Sequence, residues 1–183
     1  MSVNGMWVFG YGSLMWDPGF AEAERVIARL GGYARSFCMR SIHHRGTPRN
    51  PGLVLALDEA PGHHCDGIAF RVSPGHEEDT LAYLRERELI SSAYLERRLL
   101  VELADGRRVE ALTFVVDTGH VQYCGGLALE EQAGIIARAA GGRGPNTEYL
   151  YNTTAHLREL GISDPDLEWL SARVRDILVT GAE

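Results

Sequence analysis

What most limits the fold of this chain is the order of its patterns. Short apolar runs broken by turn residues fill the first two thirds, and helical periodicity dominates only after about residue 128. Residues 6–10 read as a buried strand running into Gly10-Tyr11-Gly12-Ser13, with a turn at Asp17-Pro18-Gly19. Residues 30–40 read as a strand beginning at Gly31-Gly32, and residues 41–52 as an irregular loop holding Pro48 and Pro51. Residues 53–57 and 67–72 flank the turn-rich stretch 59–64 and are expected to form a hairpin. A second hairpin is expected from 94–103 and 108–116 around Asp105-Gly106.

Between the hairpins, Ser73 reads as a helix cap, Pro74 as its first turn, and Glu77 and Glu78 sit near the positive end. Three later helices are expected: 128–140 ending at Gly141-Gly142, 147–160 after Asn146 as cap, and 165–179 after Asp164. Leu167, Leu170, Val174, Ile177 and Leu178 give the last one an apolar stripe. Strands first and helices late make the class α+β, with a mixed or antiparallel sheet able to close into a small barrel. No linker interrupts the pattern, so residues 1–183 are expected to form a single domain.

Composition narrows the partners. The net charge is −7 with no run of Lys and Arg, which argues against nucleic acid. No uninterrupted apolar stretch approaches the ~18 residues of a membrane span. No basic segment followed by a long apolar run opens the chain, so no signal peptide is expected. Cys38, Cys65 and Cys124 are odd in number, far apart and without CxxC spacing, as expected of reduced thiols in a cytoplasmic protein.

Two glycines and a serine between bulky residues, in the stretch MWVFGYGSLMW, open three possibilities. A dinucleotide loop would need a third glycine where Met15 stands. A tight turn between strands is the plain reading. The third is an anion nest, in which successive amides and the Ser13 hydroxyl grip a carboxylate or an oxyanion. Further on, Leu81, Leu84 and Glu88 fall at i, i+3 and i+7, one face of a helix, while Glu86 falls off it. If the helix runs that far, one carboxylate points inward, where desolvation lifts its pKa toward the range of a general base. If it stops near Arg87, Glu88 lies on the surface or pairs with an arginine. The histidine spots, His43-His44 and His63-His64-Cys65, lack an acidic cluster or HExxH spacing, so solvated or structural histidines are expected there and no metal site. Tyr149, at the start of the helix opened by GPNTEYL, is placed either to line a pocket or to join the core.

Taken together, four motifs resemble the ChaC family of γ-glutamylcyclotransferases, in its glutathione-specific branch. They are VFGYGSLMW followed by Asp-Pro-Gly-Phe, HRGTPRNPG at 44–52, YLRERE followed by Tyr94, and GPNTEYLYN with the ARVRDIL tail. The resemblance covers nearly the whole chain. It implies a γ-glutamylcyclotransferase-like α+β fold, a small mixed or antiparallel β-barrel with peripheral and C-terminal helices. It also implies cleavage of glutathione to 5-oxoproline and Cys-Gly, by attack of the γ-glutamyl α-amine on its own γ-carbonyl, with no cofactor. The family's substrate loop maps to Val8, Phe9, Gly10, Tyr11, Gly12, Ser13 and Leu14, its catalytic glutamate to Glu88 as general acid/base, and its C-terminal tyrosine to Tyr149. Arg45 joins Tyr149 as a candidate for substrate recognition. The chain departs from the family pattern at His43 (often Asp), at Asp66 (often Trp) and at Ser92-Ala93, where Gly-Gly is common. Competing classes are a cyclotransferase for γ-glutamyl amines or γ-glutamyl amino acids, and a non-enzymatic regulator of cation transport.

Overall fold

In the computed structural model, residues 5–89 and 92–181 are described. The first strand, β1 (Trp7–Gly10), is buried along its whole length. Side chains alternate across a strand, so a strand buried on both faces must be apolar throughout, which Trp-Val-Phe-Gly satisfies. Trp7 and Phe9 enter one core cluster with Leu30, Leu57 and Leu103, and Val8 enters a second with Leu84, Leu112 and Phe114. After a short 3₁₀ turn (Ser13–Met15) come two long strands, β2 (Glu22–Ser41) and β3 (Gly52–Val72). Helix α1 (Glu77–Leu89) and strands β4 (Tyr94–Leu103) and β5 (Arg108–Val116) follow.

The strands close a barrel in the order β1-β3-β2-β4-β5. β1 runs antiparallel to β3, with Phe9 opposite Ala69, and parallel to β5, with Val8 opposite Leu112. The β4–β5 hairpin has the limits expected from the sequence. On β5, Val109, Ala111 and Val115 join the cluster of Trp7 and Phe9, and Leu112 and Phe114 the cluster of Leu84. Leu84, with no exposed surface, ties α1 to that second cluster. Truncating such a buried leucine to alanine costs about 2–5 kcal/mol, so α1 is firmly placed one turn before Glu88.

Contacts divide the chain into two compact units. One holds the residues up to Arg35 with Leu57–His120, the other Ser36–Ala56 with the chain from Val121 onward. In the second unit are α2 (Leu129–Arg138), a two-stranded ribbon of β6 (Ala140–Gly141) and β7 (Gly144–Pro145), α3 (Asn146–Glu159) and α4 (Pro165–Thr180). α4 packs on both α2 and α3, and its Leu167, Leu170 and Val174 are buried. Asp164 caps α4 as expected, its side chain accepting from the Leu167 amide at 3.2 Å.

Four local expectations are corrected. β2 starts at Glu22, not near residue 30. Its first residues alternate in exposure, but charged groups occupy the more buried face: Glu24 accepts from Arg71 Nε at 3.2 Å. Apolar alternation toward the core begins only with Val26, Ala28 and Leu30, and Ile27 between them blurs it. The hairpin expected from 53–57 and 67–72 is one continuous strand, β3. Pro61 and Gly62 lie exposed within it, and Gly62, at φ 83°, adds a local irregularity without reversing the chain. Helix α1 begins at Glu77, not at Ser73-Pro74, because Gly75 at φ 89° holds a separate turn in which the His76 amide donates to Ser73 O. Asn146 does not cap α3; Pro145 precedes the helix, and the Asn146 side chain is used elsewhere.

Candidate active site

β1 delivers the glycine loop. Beyond Gly10 the chain bends at Tyr11 and Gly12, then winds into the 3₁₀ turn, where the Met15 amide donates to Gly12 O at 2.9 Å and the Asp17 amide to Ser13 O at 2.8 Å. The amides of Gly12, Ser13 and Leu14 stand at the start of this turn and donate to no acceptor among the described residues. A Cβ added to Gly12 would meet nothing within 4 Å. Open space and unclaimed amides together are what an anion nest needs. The side chains of Val8 and Phe9 are buried in the core, and Leu14 nearly so, leaving their backbone as the part able to meet a ligand.

Two guanidinium groups bracket the loop. Arg35, a buried residue of β2, donates from Nε to the Tyr11 carbonyl at 2.7 Å and from Nη2 to the Asp66 carbonyl. Arg87, in the last turn of α1, donates to Ser13 Oγ at 2.9 Å, to the Asp17 carbonyl at 2.7 Å and to Tyr83 Oη at 3.0 Å. Asp17-Pro18-Gly19, expected as a turn, is instead irregular chain following the turn that ends at Trp16, and Gly19 has a packing reason. A Cβ on Gly19, at φ 75°, would lie 2.1 Å from Tyr83 Oη. Glycine is required there for both conformation and contact.

The helix reaches Glu88, so the inward reading of that carboxylate holds while Glu86 is exposed. The Glu88 side chain is 19% exposed, and its Oε1 lies 3.6 Å from Arg87 Nε. Burial lifts its carboxyl above the usual glutamate range, and the adjacent Arg87 charge pulls it only part of the way back. The acid and the glycine loop therefore meet through one residue, since Arg87 touches the Ser13 hydroxyl with one end and faces Glu88 with the other.

Arg45 and Tyr149 belong to the second unit, where they come together. The Arg45 guanidinium lies over the Tyr149 ring, 5.8 Å from its centroid, and donates to the Pro145 carbonyl at 3.1 Å. The Tyr149 hydroxyl accepts from the Leu55 amide at 3.1 Å, so it also holds β3 in place. Asn146, fully buried, accepts from the Leu53 amide at 2.8 Å and donates to the Leu53 carbonyl at 2.9 Å, like a neighbouring strand. No cluster of three His, Cys, Asp or Glu side chains able to hold a metal ion occurs among the described residues. Nor, among those residues, is any helix long and apolar enough to cross a membrane.

Sequence reasoning missed Arg35, Arg87 and Asn146 as site-building residues. Arg87 carries a signal in hindsight, four positions after Tyr83 on one helix face and next to the inward acid. For Arg35 no local pattern distinguishes it from a surface polar residue, and Asn146 shows only the pattern of a helix cap.

A sequence profile for the family described as ChaC-like protein matches residues 6–177. The glutathione-specific gamma-glutamylcyclotransferase of Escherichia coli is 38% identical over 173 residues, 94% of this chain and 74% of that protein. A protein of the same name from Schizosaccharomyces pombe is 32% identical over 193 residues, covering 93% of this chain and 92% of its own length. Among solved structures, a yeast gamma-glutamyl cyclotransferase specific to glutathione superposes with a TM-score of 0.82 at 25% identity, over 94% of this chain and 96% of that one.

Proposed function

The chain belongs to the ChaC-like family, and from that premise we propose that it is a γ-glutamylcyclotransferase that cleaves glutathione to 5-oxoproline and Cys-Gly. The single observation that best supports this is the half-buried Glu88 joined by Arg87 to the hydroxyl of the glycine loop.

The reaction is an intramolecular aminolysis. At neutral pH the γ-glutamyl α-amine is an ammonium without a lone pair. Glu88, as carboxylate, takes one of its protons. The amine nitrogen then bonds to the γ-carbonyl carbon, and a tetrahedral oxyanion forms as the five-membered ring closes. The bond to the cysteine nitrogen breaks as Glu88 returns the proton to that leaving nitrogen. The ring nitrogen then gives up its second proton, which passes through the freed Glu88 carboxylate to the departing amine, so the lactam is neutral, Cys-Gly leaves as an ammonium and Glu88 ends as a carboxylate. Nucleophile and electrophile lie in one molecule, so holding them together supplies much of the rate; such orientation is worth up to roughly 7–11 kcal/mol. General acid–base transfer adds about 10²–10⁴-fold.

A carboxylate near its usual pKa of about 4.3 is a weak base toward an ammonium. The burial of Glu88 moves it in the useful direction. The amides at Gly12, Ser13 and Leu14, with two guanidiniums beside the loop, make a locally positive spot in a chain of net charge −7. An anion is drawn to such a spot, whether the α-carboxylate of the substrate or the developing oxyanion. Arg45 and Tyr149 are assigned to recognition of the substrate's charge and shape. The steps as written use no metal or organic cofactor.

Incubating the purified protein with glutathione, γ-glutamyl-alanine and a γ-glutamyl amine, then assaying 5-oxoproline, tests the proposal. Release fastest from glutathione is expected. Faster release from either other compound moves the substrate to γ-glutamyl amino acids or amines. No release from any of them overturns the enzyme assignment in favour of a binding or regulatory protein.

A further inference from the structure

We propose that Arg87 is a positioning residue for this reaction, holding Ser13 so that its hydroxyl donates to the anionic group of the substrate while tying the glycine loop to the helical turn that carries Glu88. The inference rests on the cyclotransferase reading above and adds a role to it.

The direction of one hydrogen bond carries the case. A guanidinium has only donors. In the 2.9 Å contact between Arg87 Nη2 and Ser13 Oγ, the serine oxygen must therefore accept. A hydroxyl has a single proton, and here that proton is left over. Among the described residues nothing accepts it, and Ser13 is exposed. The hydroxyl thus points its hydrogen outward, beside the open Gly12 backbone and the unclaimed amides of the 3₁₀ turn. Accepting from a cation also polarises the O–H bond and makes it a stronger donor. A ligand anion placed on the loop is the acceptor that completes this chain.

The remaining contacts explain why the residue is arginine. Nη1 reaches the Asp17 carbonyl at 2.7 Å and Tyr83 Oη at 3.0 Å, and Nε lies 3.6 Å from Glu88 Oε1. Three nitrogens fixed in one plane therefore address the loop, the helix and the acid at once. A lysine ammonium is a single point and cannot span them. Leu84 and Tyr83 hold the same helix against the barrel, so the fork has a firm base. Arg87 touches neither reacting atom in this scheme; it acts through Ser13 and Glu88.

A double-mutant cycle on Ser13→Ala and Arg87→Gln tests the role, with Arg87→Lys beside it. For each protein kcat and KM for glutathione are measured, along with the thermal midpoint. Losing one donor to developing negative charge lowers kcat/KM by about 10²-fold, and that is expected for Ser13→Ala. Arg87→Gln is expected to cost more than about tenfold in the wild-type background and at least about fivefold less in the Ser13→Ala background, because the two act as a unit. Arg87→Lys, though it keeps the charge, is expected to lose about tenfold. If Arg87→Gln costs the same factor in both backgrounds, or Arg87→Lys stays within about twofold of wild type, the positioning role is overturned while the cyclotransferase reading stands. A wild-type protein that releases no 5-oxoproline overturns both. Should Arg87→Gln fail to fold, Arg87→Lys takes its place in the cycle, with the same coupling expected and the same absence of coupling fatal.

Discussion

Replacing Glu88 with glutamine separates its chemistry from its burden on the fold, because the two respond with opposite signs. Glutamine keeps the shape and removes the basicity. General base catalysis is worth about 10²–10⁴-fold, or roughly 3–5 kcal/mol in the barrier, so turnover should fall by that factor. Stability follows from two competing energies. The Arg87 charge 3.6 Å away favours the ionised acid. Such a pair is worth about 1 kcal/mol in bulk water and about 4 kcal/mol at an effective dielectric of 20. Yet the carboxyl sits above the usual glutamate range, with burial as the larger cause. Desolvation therefore exceeds the attraction, and the ionised acid is a net cost to the native state.

A raised folded pKa means that the native state holds the proton more tightly than the unfolded chain does. The resulting stability is fully present below the unfolded glutamate value of about 4.3 and is lost as pH rises through the folded value. Glutamine has no such loss. Glu88→Gln should therefore unfold at a higher temperature than wild type at pH 7, with the gap closing toward about pH 4. The assay pairs 5-oxoproline release with thermal unfolding at both pH values. In wild type the acid limb of kcat/KM should lie above the usual glutamate range, since the base works only when ionised. Turnover within about tenfold of wild type would remove Glu88 from the mechanism. A lower thermal midpoint for the variant at pH 7 would show that burial is not what lifts the carboxyl.

Three further substitutions test the scaffold around the site. Ser92 is held at φ 54° just after α1, and its amide donates to Leu89 O at 3.1 Å; Ser92→Gly should relieve about 1 kcal/mol of left-handed strain and raise the thermal midpoint by roughly 2–4 °C at this chain length. Asn146→Ala leaves a buried amide and a carbonyl of Leu53 without their partner; at about 1–3 kcal/mol each it should lower stability by about 2–6 kcal/mol, and a urea midpoint indistinguishable from wild type would contradict the bracing role. Tyr149→Phe keeps the ring under Arg45 but removes one hydrogen bond, from the Leu55 amide to the phenol oxygen. It should cost about 1 kcal/mol of stability and raise the KM for glutathione; an unchanged KM would assign the hydroxyl to the fold alone.

Much of the architecture is legible in the sequence, and the exceptions share a cause. The β4–β5 hairpin and α4 carry alternation, a turn dipeptide or a cap that act within a few residues; the hairpin has its expected limits and α4 runs one residue past its expected end. β2 and β3 were misread where their buried faces hold charges or where turn residues lie inside a strand. In those stretches the pairing partner, far away in sequence, decides the conformation against local preference. The site divides in the same way. Glu88 follows from a 3.6-residue period, which is local. Asn146 looked like a helix cap because Asn before a helix usually is one; its amide instead satisfies both polar groups of Leu53, 93 positions away. The tertiary contact outweighed the local one.

Arg87 and Glu88 show how far such local reading goes. Successive helical residues point about 100° apart and do not normally face each other. The 3.6-residue period turns Glu88 inward but says nothing of Arg87, which by itself reads as solvated surface. What turns it into a site lies outside the helix. The 3₁₀ turn offers the Ser13 hydroxyl, the segment Asp17-Pro18-Gly19 after it offers a carbonyl, and glycine at position 19 leaves room for Tyr83 to steady the fork. Anchored on those acceptors, the guanidinium swings toward the loop, and its Nε stays within 3.6 Å of the acid. A general base for an amine must be desolvated enough to gain basicity and still ionise at neutral pH. Burial alone drives the carboxyl toward its neutral form, so a cation fixed beside it by other bonds is the restraint that keeps it usable. In the role proposed for Arg87, the same bonds orient the serine proton, so one side chain links the placement of the proposed base to that of the proposed anion site.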